Sequence, residues 1–201
     1  MKNIILGVTG SIAAYKAAEL ANRFTKLGHR VDVIMTRSAR EFVTPLTFQT
    51  LTKTKVNTDM FDEISYEDVR HISLAQRADL VLIAPATANI IGKIAGGIAD
   101  DFLTTVVMAV REKPVVICPA MNTAMYDNPI TRDNIGKLDE LGYIFVEPRS
   151  ALLACGDVGR GALAAVDDIE SLVSELLTYH PQFWVDRAAG VEANFESYAN
   201  K

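Results

Sequence analysis

The sequence predicts an α/β fold, namely a doubly wound parallel sheet of flavodoxin-like or Rossmann-like type in a single domain. Short apolar runs rich in Val and Ile alternate with segments of helical period along the chain. These runs lack the every-second-residue polarity of a half-exposed strand, which is typical of parallel strands covered by helices on both faces. The 201 residues, 49% of them hydrophobic, are enough to bury one substantial core.

The individual elements follow from the same pattern. Strands are predicted at 2–8, 31–35, 79–84, 113–118 and 143–146, in a sheet of five or six strands. Helices are predicted at 12–27, 38–42, 45–51, 72–77, 87–94, 101–110, 130–141 and 167–179. Residues 53–70 read as irregular, and 150–163 as a glycine-rich loop. We expect one domain over 1–180, followed by a tail at 181–201.

Composition and charge exclude several function classes. The net charge is −5 and no cluster of Lys and Arg stands out, so a nucleic-acid-binding face is not expected. No segment approaches the roughly 18 apolar residues of a membrane span, and no signal peptide is recognisable. Two cysteines, Cys118 and Cys155, provide neither a disulfide framework nor a metal-ligand set. A cytoplasmic protein without a metal is expected.

Small, hydroxylated or amide-bearing residues follow four of the predicted strands. Ligands of such sheets bind beyond the carboxyl ends of the strands, so this edge is the predicted site. The four segments are Thr9-Gly10-Ser11, Thr36-Arg37-Ser38, Pro85-Ala86-Thr87-Ala88-Asn89 and Pro119-Ala120-Met121-Asn122.

The first of these turns favours a phosphate. Gly10 permits a tight turn and close approach of a ligand, while Ser11 either caps the following helix or donates to a phosphate oxygen. The turn lacks both the G-x-G-x-x-G fingerprint and the Gly-Lys-Ser/Thr end of a P-loop. With Thr36 and Ser38 after the second strand, the pattern predicts a mononucleotide phosphate between two turns.

Four motifs resemble those of the homo-oligomeric flavin-containing cysteine decarboxylases, in matching order over roughly residues 2–178. Residues 85–90 are similar to the family's Pro-Ala-Ser-Ala-Asn-Thr, and 119–126 to its Pro-x-Met-Asn-x-x-Met-Trp, with Tyr126 in place of Trp. An isolated His71 matches the catalytic histidine. Residues 154–161, Ala-Cys-Gly-Asp-Val-Gly-Arg-Gly, resemble the substrate clamp of the phosphopantothenoylcysteine decarboxylases, although Ala162-Leu163 replace the usual Arg-Met.

The resemblance implies an activity. It is the FMN-dependent decarboxylation of 4′-phosphopantothenoylcysteine to 4′-phosphopantetheine in coenzyme A synthesis. The thiol side chain is oxidised to a thioaldehyde, CO₂ is lost, and the enethiol is reduced again. It also implies a homo-oligomer, either a trimer or a tetramer of trimers, with FMN at the subunit boundary. Ligation of cysteine is then expected from another polypeptide.

Three residues are expected to be catalytic. The resemblance makes His71 the base near the thiol, although a structural histidine is the alternative. Asn122 would orient the substrate carboxylate without the strong charge pairing of a Lys or Arg, and a helix N-cap is its other possible role. Cys155 would protonate the enethiolate, or else fill a loop. Cys118 and Met125 are interpreted as core residues.

The binding residues are assigned on the same basis. FMN is expected to contact Gly10, Ser11, Ile12, Thr36, Ser38, Phe42, Thr87, Ala88, Asn89, Ile90, Ala120 and Met121. The substrate is expected to contact Asn122, Ala154, Cys155, Gly156 and Arg160, where Arg160 either meets the substrate phosphate or is simply solvated.

Other activities remain open on this pattern. The lantibiotic peptidyl-cysteine decarboxylases share the first three motifs, and flavin prenyltransferases share the fold and FMN. Some relatives are non-catalytic regulatory subunits that bind protein phosphatases. The clamp motif at 154–161 favours the coenzyme A enzyme over the first two. The presence of His71, Asn122 and Cys155, without a long acidic tail, favours it over the regulatory role.

Overall fold

A computed structural model describes residues 1–60, 69–152, 156, 158–179 and 184. Its centre is a five-stranded parallel sheet in the order β2-β1-β3-β4-β5, the flavodoxin-like arrangement. The strands are β1 (Asn3–Val8), β2 (Arg30–Met35), β3 (Leu80–Ala86), β4 (Val115–Pro119) and β5 (Ile144–Phe145). The predicted doubly wound parallel sheet is therefore confirmed.

The register follows from apolar runs buried on both faces. β1 pairs with β2 from Asn3↔Arg30 to Val8↔Met35, and with β3 from Ile4↔Leu80 to Gly7↔Ile83. β3 is irregular between Ile83 and Ala86, where the Ala84–Pro85 peptide bond is cis. The sequence order reverses between β1 and β3, so the carboxyl ends of these two strands form the crevice where ligands of such folds bind.

Helices cover both faces of the sheet. The helices are α1 (Ala14–Lys26), α2 (Pro45–Thr52), α3 (Arg70–Arg77), α4 (Ala88–Ala95), α5 (Phe102–Ala109), α6 (Thr123–Tyr126), α7 (Pro129–Glu140) and α8 (Val166–Leu176). A five-residue 3₁₀ helix spans Arg37–Glu41. None of the helices in the described part of the chain is both long and apolar enough to cross a bilayer.

Two core clusters lie on opposite faces of the sheet. Alternate residues of β1 point to opposite sides, with Leu6 in the first cluster and Ile5 in the second. The first cluster contains the apolar faces of α1 and α8, including Phe24 and Val173. The second contains those of α3, α4, α5 and α7. The site is therefore built at one edge of a sheet that is rigidly packed on both sides.

The segment predicted as a glycine-rich loop differs in the structure. Its ends form an antiparallel pair, β6 (Arg149–Leu152) with β7 (Val158–Ala162), separate from the central sheet. The loop prediction was wrong because glycines normally weaken strands, whereas here two of them allow close packing against a neighbouring loop. We call this pair the hairpin.

Candidate functional site

A buried threonine locks the ends of β1 and β3 together. The Thr9 hydroxyl donates a 2.7 Å hydrogen bond to the Pro85 carbonyl and accepts one from the Thr87 N–H at 3.1 Å. Only 1% of Thr9 is exposed. Because it binds both of these backbone groups, this hydroxyl fixes how the 85–89 segment leaves the sheet. The sequence placed Thr9 at the predicted site edge but assigned it no ligand contact.

The two turns predicted to hold a phosphate are in contact. A Cβ built on Gly10 would lie 2.4 Å from the Cβ of Ser38, so no larger residue fits at position 10. The Thr36 N–H donates to the Val8 carbonyl at 3.0 Å, and the Thr36 hydroxyl caps the 3₁₀ helix by accepting from the Ala39 N–H. Hydroxyls and helix N-termini therefore surround the end of β1 on this side.

The residues after β3 begin α4. The Thr87 hydroxyl caps the helix by accepting from the Ile90 N–H at 3.4 Å. Ala88 is half-buried and Asn89 is exposed at the same edge. The side chain of Ile90 is buried in the second core cluster, so at this edge Ile90 presents only its backbone N–H, which Thr87 already engages.

The loop between β4 and α6 brings Ala120, Met121 and Asn122 to the same edge. The Ala120 N–H donates to the Ala86 carbonyl at 2.9 Å, which ties this loop to the end of β3. The Asn122 amide oxygen accepts a 2.8 Å hydrogen bond from the Ala124 N–H and caps α6. The N-cap role foreseen as an alternative for Asn122 is confirmed.

The hairpin docks on this loop through glycines. The Met121 N–H donates to the Gly161 carbonyl at 2.9 Å. Gly161 has φ +150°, and a Cβ on it would lie 2.2 Å from the Met121 carbonyl oxygen. A Cβ on Gly159 would lie 2.4 Å from the Thr123 hydroxyl. That hydroxyl is buried and has no hydrogen-bond partner in the part of the chain that the structure describes.

A groove of about 430 Å³ lies between the start of α1, the 120–122 loop and the hairpin. This volume suits a small ligand, since such sites measure about 300–1,000 Å³. Five of the predicted ligand contacts line it: Ser11, Ile12, Ala120, Met121 and Asn122. The remaining lining residues are Ala13, Tyr15, Lys16, Arg149, Ala151, Gly161, Ala162 and Leu163, none of which was predicted.

Several predicted contacts lie outside the groove lining. Gly10, Thr36 and Ser38 form the adjoining pair of turns, and Phe42 ends the 3₁₀ helix with half of its surface exposed. Arg160 stands 5.3 Å from the centroid of the buried Tyr126 ring and 3.9 Å from the Asp127 carboxylate. Arg160 therefore contacts Tyr126, which replaces the family's Trp, and does not line the groove.

The histidine predicted as a base lies on the other side of the sheet. His71 is half-buried in the first turn of α3, a helix that packs in the second core cluster, whereas α1 belongs to the first. Both ends of α3 are tied near β2. Arg70 donates to Asn57 at 2.6 Å, and Arg77 reaches the buried Asp32 carboxylate at 2.9 Å. Within one chain, His71 does not line the groove.

Cys118 is a buried core residue of β4. Cys118 is fully buried at the end of β4, and burial raises the pKa of its thiol far above the ordinary value. Its interpretation as a core residue is confirmed.

Met125 is 49% exposed, so its interpretation as core was wrong, because α6 is a single turn on the surface. Ala154 and Cys155 lie outside the described residues, while Gly156 is exposed with φ +90°.

The comparisons with known proteins match this arrangement. The model of the flavoprotein family matches residues 1–178. This chain belongs to the flavoprotein family. It is 49% identical over 177 residues to a probable phosphopantothenoylcysteine decarboxylase of Streptococcus mutans serotype c, covering 88% of this chain and 99% of that protein.

A further relative of this flavoprotein is bifunctional. The chain is 49% identical over 174 residues to the coenzyme A biosynthesis bifunctional protein CoaBC of Bacillus subtilis, which covers 87% of this chain. The match takes up 43% of that protein's length.

Solved structures of the same fold support the assignment. A cysteine mutant of PPC decarboxylase complexed with pantothenoylaminoethenethiol has a TM-score of 0.78 and 37% identity, over 86% of this chain and 96% of that one. The FMN-dependent cysteine decarboxylase SpaF has a TM-score of 0.77 and 32% identity, over 88% and 95% of the two chains.

Proposed function

We propose that this flavoprotein binds FMN and decarboxylates 4′-phosphopantothenoylcysteine to 4′-phosphopantetheine. One observation carries the proposal. The hairpin, whose two strands flank the Ala-Cys-Gly-Asp motif in sequence, docks on Met121 and Asn122 and shares one groove with them. The Pro-Ala-Met-Asn motif and Gly161, the last residue of the 154–161 motif, thus lie at the same groove.

The described residues fit FMN. Hydroxyls of Ser11, Thr36 and Ser38 surround the end of β1 beside three helix starts, a donor set suited to a phosphomonoester. Ile12, Ala120 and Met121 provide an apolar surface next to them, suited to a flat ring. When bound, FMN supplies a two-electron acceptor that takes up and returns the electrons of the substrate thiol.

Asn122 is assigned to the substrate carboxylate. Because its amide oxygen accepts the bond that caps α6, the NH₂ half of the side chain is the half that can donate to a carboxylate in the groove. A neutral donor orients the carboxylate without stabilising its charge so strongly that loss of CO₂ becomes slower.

Proton transfer is assigned to Cys155 and His71. Cys155 would donate a proton to the substrate carbon skeleton after CO₂ loss, from the chain that links β6 to β7. His71 would accept the proton of the substrate thiol. Since α3 lies across the sheet from α1, we propose that His71 serves the groove of a neighbouring protomer.

An oligomer is therefore part of the proposal, either a trimer or a tetramer of trimers. Large exposed apolar side chains support it, because Ile12 before α1, Tyr15 on α1 and Leu46 on α2 are each at least 60% exposed. We place the activity in the cytoplasm, where Cys118 would remain a free thiol. Multi-angle light scattering of the holoprotein tests the oligomeric state.

The activity is tested by spectroscopy and mass spectrometry together. The purified protein should be yellow, with FMN released on denaturation, and should convert 4′-phosphopantothenoylcysteine with loss of CO₂. Cys155→Ala should accumulate the oxidised enethiol, which is two hydrogens lighter than 4′-phosphopantetheine. Asn122→Asp should lose turnover, because a second carboxylate repels that of the substrate.

A matched control separates capping from catalysis. Asn128 caps α7 by accepting from the Ile130 N–H at 3.0 Å, as Asn122 caps α6, but it does not line the groove. Asn128→Asp should therefore keep full turnover. A yellow wild-type protein that converts only a C-terminal peptidyl cysteine would indicate the peptidyl-cysteine activity instead. A colourless protein that cannot be reconstituted with FMN would refute the cofactor.

A further inference from the structure

Two basic side chains from distant parts of the sequence line the same groove. Lys16 comes from the first turn of α1, and Arg149 is the first residue of β6 in the hairpin. They face the groove from its two sides, and Asn122 lines the same space. Neither the predicted phosphate turns nor the clamp motif includes them.

Neither cation is neutralised by a carboxylate in the described part of the chain. The nearby Glu19 on α1 instead pairs with Arg23 at 2.6 Å, and Arg23 also reaches Asp167 and Glu170. Arg77 and Arg30 both form salt bridges with Asp32, and Lys93 forms salt bridges with Asp100 and Asp101. Among the described residues, Lys16 and Arg149 are the two basic side chains that line this groove.

The two positive charges act on each other. The pKa of Lys16 is lowered, first by burial and then by the charge of Arg149, while Glu19 acts weakly in the opposite sense. The Lys16 ammonium also lies 6.0 Å from the centroid of the Tyr15 ring. A dianion between Lys16 and Arg149 would turn this repulsion into two charge-assisted hydrogen bonds.

We propose that Lys16 and Arg149 together form the subsite for the phosphate of the substrate, rather than Arg160. This rests on the proposed function and assigns its substrate class, an elongated molecule with a carboxylate at one end and a phosphomonoester at the other. Asn122 takes the first end and the two cations take the second. The site discriminates against a peptide that ends in cysteine, which carries no phosphate.

FMN also carries a phosphomonoester, so binding of the substrate phosphate has to be distinguished from binding of the FMN phosphate. Of the hydroxyls assigned to the FMN phosphate, Ser11 lines the groove, whereas Thr36 and Ser38 belong to the adjoining turn and do not line it. The experiment therefore needs one arm for each phosphate.

The first arm is kinetic. Lys16→Gln and Arg149→Gln should each raise KM for 4′-phosphopantothenoylcysteine about tenfold or more, as expected for loss of one charge-assisted hydrogen bond. Their kcat, and their kcat/KM for the dephosphorylated pantothenoylcysteine, should stay within about twofold of the wild type, because chemistry is untouched. The matched controls are Lys26→Gln, on the far end of α1, and Arg111→Gln, both exposed and outside the groove.

The second arm measures binding without turnover. By isothermal titration calorimetry, the wild-type holoprotein should bind 4′-phosphopantetheine more tightly than pantetheine, and the double variant should not distinguish them. FMN content and FMN affinity should be the same in all variants. Weaker FMN binding with an unchanged KM would assign the pair to the cofactor and overturn the proposal, as would an equal KM effect on both substrates.

The two arms also separate this proposal from the proposed function. If the wild type decarboxylates both substrates equally well, the activity stands and the phosphate subsite is refuted. If it decarboxylates neither but still prefers 4′-phosphopantetheine over pantetheine through Lys16 and Arg149, the subsite stands and the activity is refuted.

Discussion

The two walls of the groove are held in place by different interactions. The wall formed by α1 is the exposed edge of a buried core, and Thr9 and Gly10 at its base engage neighbouring turns without any gap. The hairpin wall belongs to neither face of the central sheet. It is held by glycine contacts and by the hydrogen bond from Met121 to Gly161, and Val158 on it is 80% exposed.

The difference separates stability from activity. A change on the α1 wall disturbs packing shared with the whole sheet, so it should lower the free energy of unfolding. A change on the hairpin wall should displace one side of the groove while most of the core remains intact. The four predictions below test this division, from the largest expected effect to the smallest.

The thiol behind the α1 wall should be inert. Burial raises the pKa of Cys118, so its thiolate should not form at pH 8, where an ordinary cysteine is partly ionised. Alkylation of Cys118 by iodoacetamide should be slowed by a factor of about 10³ or more, because it requires unfolding. Peptide mapping by mass spectrometry, with and without urea, measures this. Rapid labelling of Cys118 in the native protein would mean that this wall opens readily.

Gly161→Ala should damage the hairpin wall. The added methyl group would lie 2.2 Å from the Met121 carbonyl oxygen, so the hairpin has to shift. Since a displacement of about 1 Å in a site can cost about 100-fold in rate, we expect a loss of this order in kcat/KM. The melting temperature should change little.

Gly136→Ala is the matched control for that substitution. Gly136 lies in α7, and a Cβ there would meet nothing within 4 Å. Activity should be unchanged, and stability should rise by up to about 1 kcal/mol, because alanine is the better helix former. Full activity in Gly161→Ala would show that the hairpin does not shape the site.

Thr9→Val should lower stability, in contrast to Gly161→Ala, which should lower activity. It removes the hydroxyl that serves the Pro85 carbonyl and the Thr87 N–H, and leaves both without their partner. The free energy of unfolding should fall by about 1–3 kcal/mol. Urea denaturation measures this loss, and Thr9→Ser, which keeps the hydroxyl, should retain most of the stability. An unchanged free energy of unfolding in Thr9→Val would show that the two hydrogen bonds of the Thr9 hydroxyl do not stabilise the α1 wall.

Thr123→Val should have the smallest effect. The Thr123 hydroxyl is buried beneath the hairpin without a hydrogen-bond partner among the described residues, so a methyl group of the same shape avoids its desolvation cost. Stability should rise by up to about 1 kcal/mol, with turnover unchanged. A clear loss of stability in the same urea titration would indicate that the hydroxyl has a partner after all.

The two walls also differ in how far the sequence predicted them. The strands and the α1 side follow from apolar runs and turn residues close together in the chain, which local patterns encode. Even the start of α1 at Ala14, two residues later than predicted, reflects a local turn in which the Ala14 N–H donates to Ser11. Sequence identified the site edge because parallel strands bring their carboxyl ends to one side.

The hairpin side could not be predicted in the same way. β7 contains Gly159 and Gly161, residues that local propensity disfavours in strands, and the reason for them is a contact with Met121 and Thr123. Arg149 and Lys16 become neighbours only through the tertiary fold. The partner of Thr9 is backbone rather than side chain, so no residue type in the sequence indicates it.

The ties of α3 to β2 bear on how this helix opens. An eight-residue helix is too short to persist alone, so α3 keeps its form through Asp32, Asn57 and its apolar face. Its backbone amides should therefore exchange with deuterium at rates close to those of β2, as one cooperative unit. The ties of α3 to β2 then fix the position of His71, and His71 should leave that position only when the central sheet unfolds locally.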